Sequence, residues 1–348
     1  MFAPFSPSDS PRVYRLQRKG VSLDLQQALM QPNSPLWGAW LAFLTQQAMG
    51  QPTYVLYDPH DGEASVQVRY RPHQSAADVV WLAPALSENK RIAHAWSCLL
   101  DGVSVEAGGQ GIQRVFANLP ASGAEIEVFQ QAGFAVYAGE DIYRRMPQAV
   151  ALSEEPLPHL RPQLPEDWPA LQKLCVAITP QRVRQAEGGI GLPLAWEKNC
   201  QRYVLSSKEN DDLLAAVTIC AGVQAHWLRV LLHPDARHLA QSLVQWGLVT
   251  LVPFGQPPKL TYCNIHHFEN SMQDALETAE FKPYATRALM VKHTLAWIKS
   301  PMPEAVAALK GSAELLPPTY RINGGSDSPK SKGLSSPDGW LASEEHLE

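Results

Sequence analysis

Two periods of apolar residues succeed one another along this chain, and the same succession occurs twice. The first begins with the apolar run Asp78-Val79-Val80-Trp81-Leu82-Ala83-Pro84. A short apolar run bounded by turn residues predicts a strand, and apolar residues three and four apart predict a helix. Ile92, Trp96, Leu99, Leu100 and Val103 form such a helical stripe to about Ala107, with Ser87 as its N-cap. A strand over Val115 to Leu119, a helix over Ala124 to Ala132 and two strand candidates, around Val136 and at Ile142-Tyr143, follow. The second succession begins at Ala225-His226-Trp227-Leu228, runs through a helix over Ala236 to Leu251 and a strand over 259–265, and ends at Phe281-x-x-Tyr284. Trp81 and Trp227 are 146 residues apart, and Pro84 to Trp96 and Pro234 to Trp246 both span 12. Trp81, Trp96, Trp227 and Trp246 thus occupy matching places, as core or as the seam between sheet and helix.

The flanking pattern fills out both halves. Residues 22–49 read as two helices broken at Pro32-Asn33-Ser34-Pro35, and a hairpin follows with strands at Thr53 to Tyr57 and Ala64 to Tyr70. Pro165-Glu166-Asp167-Trp168-Pro169 opens a helix with an acidic first turn, and strands are expected at Tyr203 to Ser206, Leu213 to Ala221 and Gln224 to Leu232. Composition sets the boundaries: a Pro/Ser leader at 1–11, expected disordered; a first domain at 12–146; a Pro-rich linker at 147–158; a second domain at 159–298; and a largely disordered Gly/Ser/Pro tail at 299–348.

A net charge of −5 and a pI near 6.1 argue against a nucleic-acid partner. No run reaches the roughly 18 apolar residues of a membrane span, so no membrane partner is expected and the compartment is read as cytoplasmic. The five cysteines form no C-x-x-C pair and read as free, buried small residues in a reducing compartment. Ala107-Gly108-Gly109-Gln110-Gly111 lacks the Lys-Ser/Thr of a phosphate loop and reads as a helix C-cap. His266-His267-Phe268-Glu269, with Cys263 upstream, lacks the spacing of a zinc site and reads as a loop rim, so no metal is expected. Asn118 and Asn264 end the same strand in both copies, which a turn role explains.

The repeated unit, with Ala132-Gly133-Phe134 and Ala279-Glu280-Phe281 in like places, resembles the GNAT superfamily of acyl-CoA N-acyltransferases. The resemblance implies an α/β fold of two tandem GNAT-like domains, each a twisted mixed sheet flanked by helices. In that family a cleft opens between the fourth and fifth strands, and the following helix points its N-terminus at the pyrophosphate of acyl-CoA. The family's signature is Arg or Gln, two residues, Gly, one residue, then Gly or Ala. Its place in the second half is Arg237-His238-Leu239-Ala240-Gln241-Ser242, and in the first half Arg91-Ile92-Ala93-His94-Ala95-Trp96. His94 and Trp96 are bulky where backbone should meet phosphate, so only the second half is expected to hold acetyl-CoA.

The resemblance therefore places the cofactor on Val230, Leu231, Leu232, Arg237, His238, Leu239, Ala240, Gln241, Ser242 and Asn264. The tyrosine that often protonates the leaving thiolate is replaced by Phe129 and Leu276. His226 or Glu269 is left to deprotonate the amine of a small-molecule or protein acceptor, and the plainer reading of His226 is a strand histidine facing solvent. Trp37 and Trp40 fall on an early helix where acceptor-site residues gather in the family. The alternative is a non-catalytic tandem binding or assembly protein. An open gap between the strands at 224–232 and 259–265 favours the enzyme; a gap plugged by side chains favours the alternative.

Overall fold

The computed structural model describes residues 1–58, 62–71, 74–86, 90–148, 157, 159–189, 200–207, 212–251, 257–269 and 271–294. These belong to one compact unit, Met1–Ala296. The tail at 299–348, most of the linker at 147–158, the turn at 59–61 and Ser87 lie outside the described residues.

The first repeat runs β1 (Phe2–Pro4), α1 (Ser10–Leu16), β2 (Val21–Ser22), α2 (Leu25–Met30), α3 (Pro35–Leu44), β3 (Thr53–Asp58), β4 (Gly62–Tyr70), β5 (Ala76–Ala83), α4 (Lys90–Gly109), β6 (Arg114–Pro120), α5 (Glu125–Gln131) and β7 (Ala135–Arg145). The second runs β8 (Leu160–Pro162), α6 (Trp168–Ile178), α7 (Gln181–Glu187), β9 (Cys200–Ser206), β10 (Leu213–Ala221), β11 (Ala225–Leu232), α8 (Ala240–Leu251), β12 (Leu260–His266), α9 (Gln273–Thr278) and β13 (Lys282–His293).

The leader is not disordered. Phe2 to Pro4 pairs with β3, Phe2 stacks on Tyr54 at 5.1 Å, and Phe5 is buried. Pro7 and Pro11 begin helical turns, where a missing N–H costs nothing. Pro7–Asp9 and Pro165–Asp167 form the same 3₁₀ turn, 158 residues apart. In each, the aspartate accepts a backbone N–H three residues back: Ser6 N to Asp9 at 3.0 Å and Leu164 N to Asp167 at 2.7 Å. The repeat offset falls from 158 here to 146 at the tryptophans, so the first copy is about 12 residues longer in between. The surplus lies in the stretch that carries β2 and α2.

One mixed sheet joins the repeats in the order β1-β3-β4-β5-β6-β13-β7-β12-β11-β10-β9-β8, with β2 beside β5. The two strand candidates near Val136 and Ile142 are a single strand, β7, kept continuous by antiparallel partners on both edges. The last strand of each copy is lent to the other: β13 lies between β6 and β7, and β7 lies between β12 and β13. Met290 of β13 is accordingly buried in the first copy's core beside Trp96, Leu99 and Phe129, and Tyr143 of β7 in the second's beside Leu228, Val230 and Leu243. Neither copy completes its sheet or its core without the other. Among the described residues no helix is long and apolar enough to cross a membrane.

Candidate ligand cavity and the two strand gaps

In the second repeat β11 and β12 run parallel and pair only from Ala225 to Leu228 against Leu260 to Cys263. Beyond that they part, and Arg229, the first residue past the pairing, reaches across. Its Nη1 donates to the Asn264 carbonyl at 2.7 Å and to Glu269 Oε2 at 2.7 Å. Its Nη2 donates to Glu269 Oε1 at 2.6 Å and lies 2.6 Å from His266 Nδ1. Arg229 and Glu269 are both buried. Burial pushes the Glu269 carboxyl up, but Arg229 and His266 hold it down to about 2. A carboxylate so bound is a structural counter-ion and a poor proton acceptor.

Of the other residues assigned from sequence, Asn264 borders this gap through its carbonyl, and the rest are spread over both sides of the sheet and the following turn. His226 does not face solvent: it is buried within the paired part of the strands, opposite Ala221 and Thr261. Burial and then Lys259 lower its pKa, and its Nδ1 has no hydrogen-bond partner among the described residues. No hydrogen bond or ion pair links it to Glu269 among the described residues. Val230 and Leu232 point into the core, and Leu231 packs on the opposite face, toward α6. Arg237, His238 and Gln241 are exposed, Leu239 is half-buried, and Ala240 and Ser242 are buried.

At the expected pyrophosphate end of the helix, one backbone N–H is taken up locally. A 3₁₀ turn over Pro234–Leu239 precedes α8, and Ala240 N bonds Arg237 O within it. That turn carries the acidic Asp235 and, nearer the helix, the exposed basic Arg237 and His238. Ala240 and Ser242, the small residues at the signature's place, are buried where α8 packs on the sheet.

The first repeat parts its strands in the same place. β5 and β6 pair only from Ala76 to Asp78 against Arg114 to Phe116. Here the chain's own backbone enters. Val21 and Ser22 pair with Leu82 and Trp81, Leu23 N donates to Val80 O at 2.9 Å, and the Leu23 side chain is buried. Arg287 of β13 spans the remainder: Nη2 donates to Leu23 O at 3.1 Å and to Asn118 O, and Nε donates to Asn118 Oδ1 at 2.7 Å. Each gap thus contains a buried arginine bonded to a carbonyl of the farther strand.

The two asparagines that matched in sequence meet through one carboxylate. Asn118 Nδ2 donates to Glu140 Oε1 at 2.5 Å, and Asn264 Nδ2 donates to Glu140 Oε2 at 3.0 Å. Trp227 Nε1 donates to Asn264 Oδ1 at 3.0 Å. Their role is to tie the repeats at β7 rather than to make turns. The repeat position marked both residues; Glu140 itself carried no signal, because its partners are 22 and 124 residues away.

Beside this junction lies a cavity of about 650 Å³. The helices α2 and α3 line it with Gln27, Gln31 and Trp37; the sheet contributes Arg69, Arg71, Asp78, Phe116, Asn118, Tyr137 and Glu140; the second repeat adds Trp227 and Asn264. Its two arginines are paired with Asp24 and Asp78, and Glu140 is held by the amides of Asn118 and Asn264. Arg69 bridges Asp24 and Asp78, and Arg71 grips Asp78 with Nε at 3.0 Å and Nη2 at 2.6 Å while lying 4.2 Å over the Phe116 ring. Burial raises the Asp78 carboxyl, and the two arginines outweigh it, leaving the pKa below the usual range. Tyr137 O–H donates to Glu187 at 3.3 Å, and burial raises both groups.

Cys200, on the cavity wall, is not free. It is disulfide-bonded to Cys220, its direct partner across β9 and β10. Twenty residues of separation concealed a pair that antiparallel register places face to face. Cys175 and Cys263 are buried free thiols.

The architecture is similar to that of a solved tandem GNAT protein from the clavulanic acid biosynthesis pathway, at 11% identity, a TM-score of 0.50, and 85% and 98% of the two chains covered. The fold is a tandem GNAT fold. A GCN5-related N-acetyltransferase from Sphaerobacter thermophilus is similar at 14% identity and a TM-score of 0.48, over 84% of this chain and 95% of that one. No protein-family model and no curated protein sequence matches the chain. The likeness is one of fold; the residues of a site decide what a particular chain does.

Proposed function

We infer that this chain is a non-catalytic binding protein on a tandem GNAT frame, taking a small polar molecule into the junction cavity. The observation that carries this reading is the closure of both strand gaps from within, by Arg229 with Glu269 and by Leu23 with Arg287. Displacing Arg229 to admit an acyl thioester would leave Glu269 buried without its counter-charge, an arrangement that costs several kcal/mol. The cavity supports the binding half of the reading. It is concave, it combines aromatic walls with converging amides, and its ion pairs neutralise one another.

A second reading is acyl transfer to an amine in the first repeat. It is favoured by the reach of the cavity along Val79, Val80 and Phe116 to Asn118, on both parted strands. Calorimetric titration of acetyl-CoA separates the two. The binding reading expects no heat at millimolar acetyl-CoA. Micromolar binding lost in Arg237→Glu would restore the second repeat as a cofactor site. Micromolar binding indifferent to Arg237→Glu and lost in Phe116→Trp would establish the first-repeat reading.

A further inference from the structure

Helix α3 reads Pro35-Leu36-Trp37-Gly38-Ala39-Trp40-Leu41-Ala42-Phe43-Leu44, without a charged or hydrogen-bonding side chain apart from the two indole N–H groups. A helix apolar on every side is normally enclosed. Only Ala39 and Ala42 of this one are buried. Trp37 and Leu44 are each 68% exposed, and Phe43 and the neighbouring Met49 are exposed as well. Helical spacing puts Trp37 and Leu44 in one row with half-buried Leu41, and Phe43 in the next, where half-buried Trp40 packs against Phe5.

Basic residues flank this surface. Arg15, Arg18 and Lys19 are exposed on α1 and just after it. The Gln17 side chain accepts a hydrogen bond from Ser34 Oγ at 2.9 Å, which fixes the basic stretch beside the start of α3. The acidic groups on that side, Asp9 and Glu63, are already bound to Arg12 and Arg15. A local positive excess on a chain of net charge −5 does not follow from overall composition.

We propose that α3 docks this protein on an anionic lipid surface, with Trp37, Phe43, Leu44 and Met49 in the interfacial layer and Arg18 and Lys19 against the headgroups. Side chains on a single convex helix enter a bilayer interface together, and aromatic residues favour that depth. Basic residues beside them add attraction to negatively charged lipid. The lack of a membrane-spanning run bears on crossing a membrane and leaves surface docking open. Trp37 is shared with the cavity wall, whereas Phe43, Leu44 and Met49 do not line the cavity.

The test is co-sedimentation of the full chain with vesicles of phosphatidylcholine alone and of phosphatidylcholine with phosphatidylglycerol. Binding is expected with the anionic vesicles and is expected to fall at high salt. The variants Trp37→Ser/Leu44→Ser and Arg18→Glu/Lys19→Glu should each lower partitioning roughly tenfold. All four positions are at the surface, and unchanged thermal melting of both variants will show that folding is intact. No binding to anionic vesicles, or binding equal in both variants and in wild type, overturns the proposal. So does a lipid-free dimer that Trp37→Ser/Leu44→Ser dissociates while vesicle binding is absent, since the occupant is then a second copy of this chain.

Discussion

The two strand gaps have the same position in the repeat and are closed by different means. In the second repeat the closure is a side-chain ion pair, Arg229 with Glu269, made within that repeat's own residues. In the first it is a piece of backbone, Val21 to Leu23, tied to β6 by an arginine that belongs to the other copy's last strand. A buried ion pair closes a gap without adding chain but depends on both charges being present. An inserted strand needs extra residues, and the first copy carries about 12 of them. The same surplus stretch supplies α2, which helps wall the cavity. One duplicated frame has thus become a sealed half and a half with a pocket.

Substitutions can break this comparison. The largest effect is expected at Arg229. Arg229→Met leaves the Glu269 carboxylate buried and unpaired and should destabilise by about 3–5 kcal/mol in urea unfolding, while Arg229→Met with Glu269→Leu should recover most of the loss. A nearly neutral single substitution would show that the pair does not seal the gap. Leu23→Ala comes next, at about 2–4 kcal/mol for a buried leucine in the inserted segment. If its cost were below about 1 kcal/mol, the segment would be a loosely applied flap rather than part of the core.

Acid titration should sharpen the contrast. Glu269 has its pKa lowered from 4.5 to about 2, so its stabilisation is complete above 4.5 and is lost as the pH falls toward 2. Asp78, also lowered, loses its contribution in the same direction, on the cavity side. Glu269→Gln should flatten the acid limb of the stability curve; a limb unchanged in that variant would assign acid sensitivity to other carboxylates. The smallest effect is expected at Glu187, whose pKa is raised by burial. A raised carboxyl favours folding at low pH and loses that contribution as the pH climbs through its folded value. Glu187→Gln should therefore remove a shallow decline on the neutral side, measurable as the difference between variant and wild-type melting temperatures across pH.

The fold was legible wherever local pattern and tertiary packing demanded the same thing. The strands at Asp78 to Leu82 and Val115 to Leu119, the Ile92-to-Val103 stripe and the matching tryptophans all lie where spacing placed them, because each is one face of a core element. The leader misled because Pro and Ser are common both in disordered chain and at helix starts, and only the burial of Phe2 and Phe5 against β3 distinguishes the two. The assigned site misled for a related reason. Small residues at Ala240 and Ser242 satisfy close packing as well as close approach to a phosphate, and sequence spacing does not separate these uses.

By itself, the sequence determined the duplication, its strand and helix faces and its GNAT-like order, since period and spacing are local properties that the chain carries in every conformation. Only the tertiary structure decided what stands in the gaps and what joins the copies. Arg229 meets Glu269 across 40 residues, Arg287 meets Leu23 across 264, and Glu140 gathers Asn118 and Asn264 from opposite sides. Such contacts are made when the copies exchange their last strands. They depend on register between distant segments, which no local pattern of residues encodes.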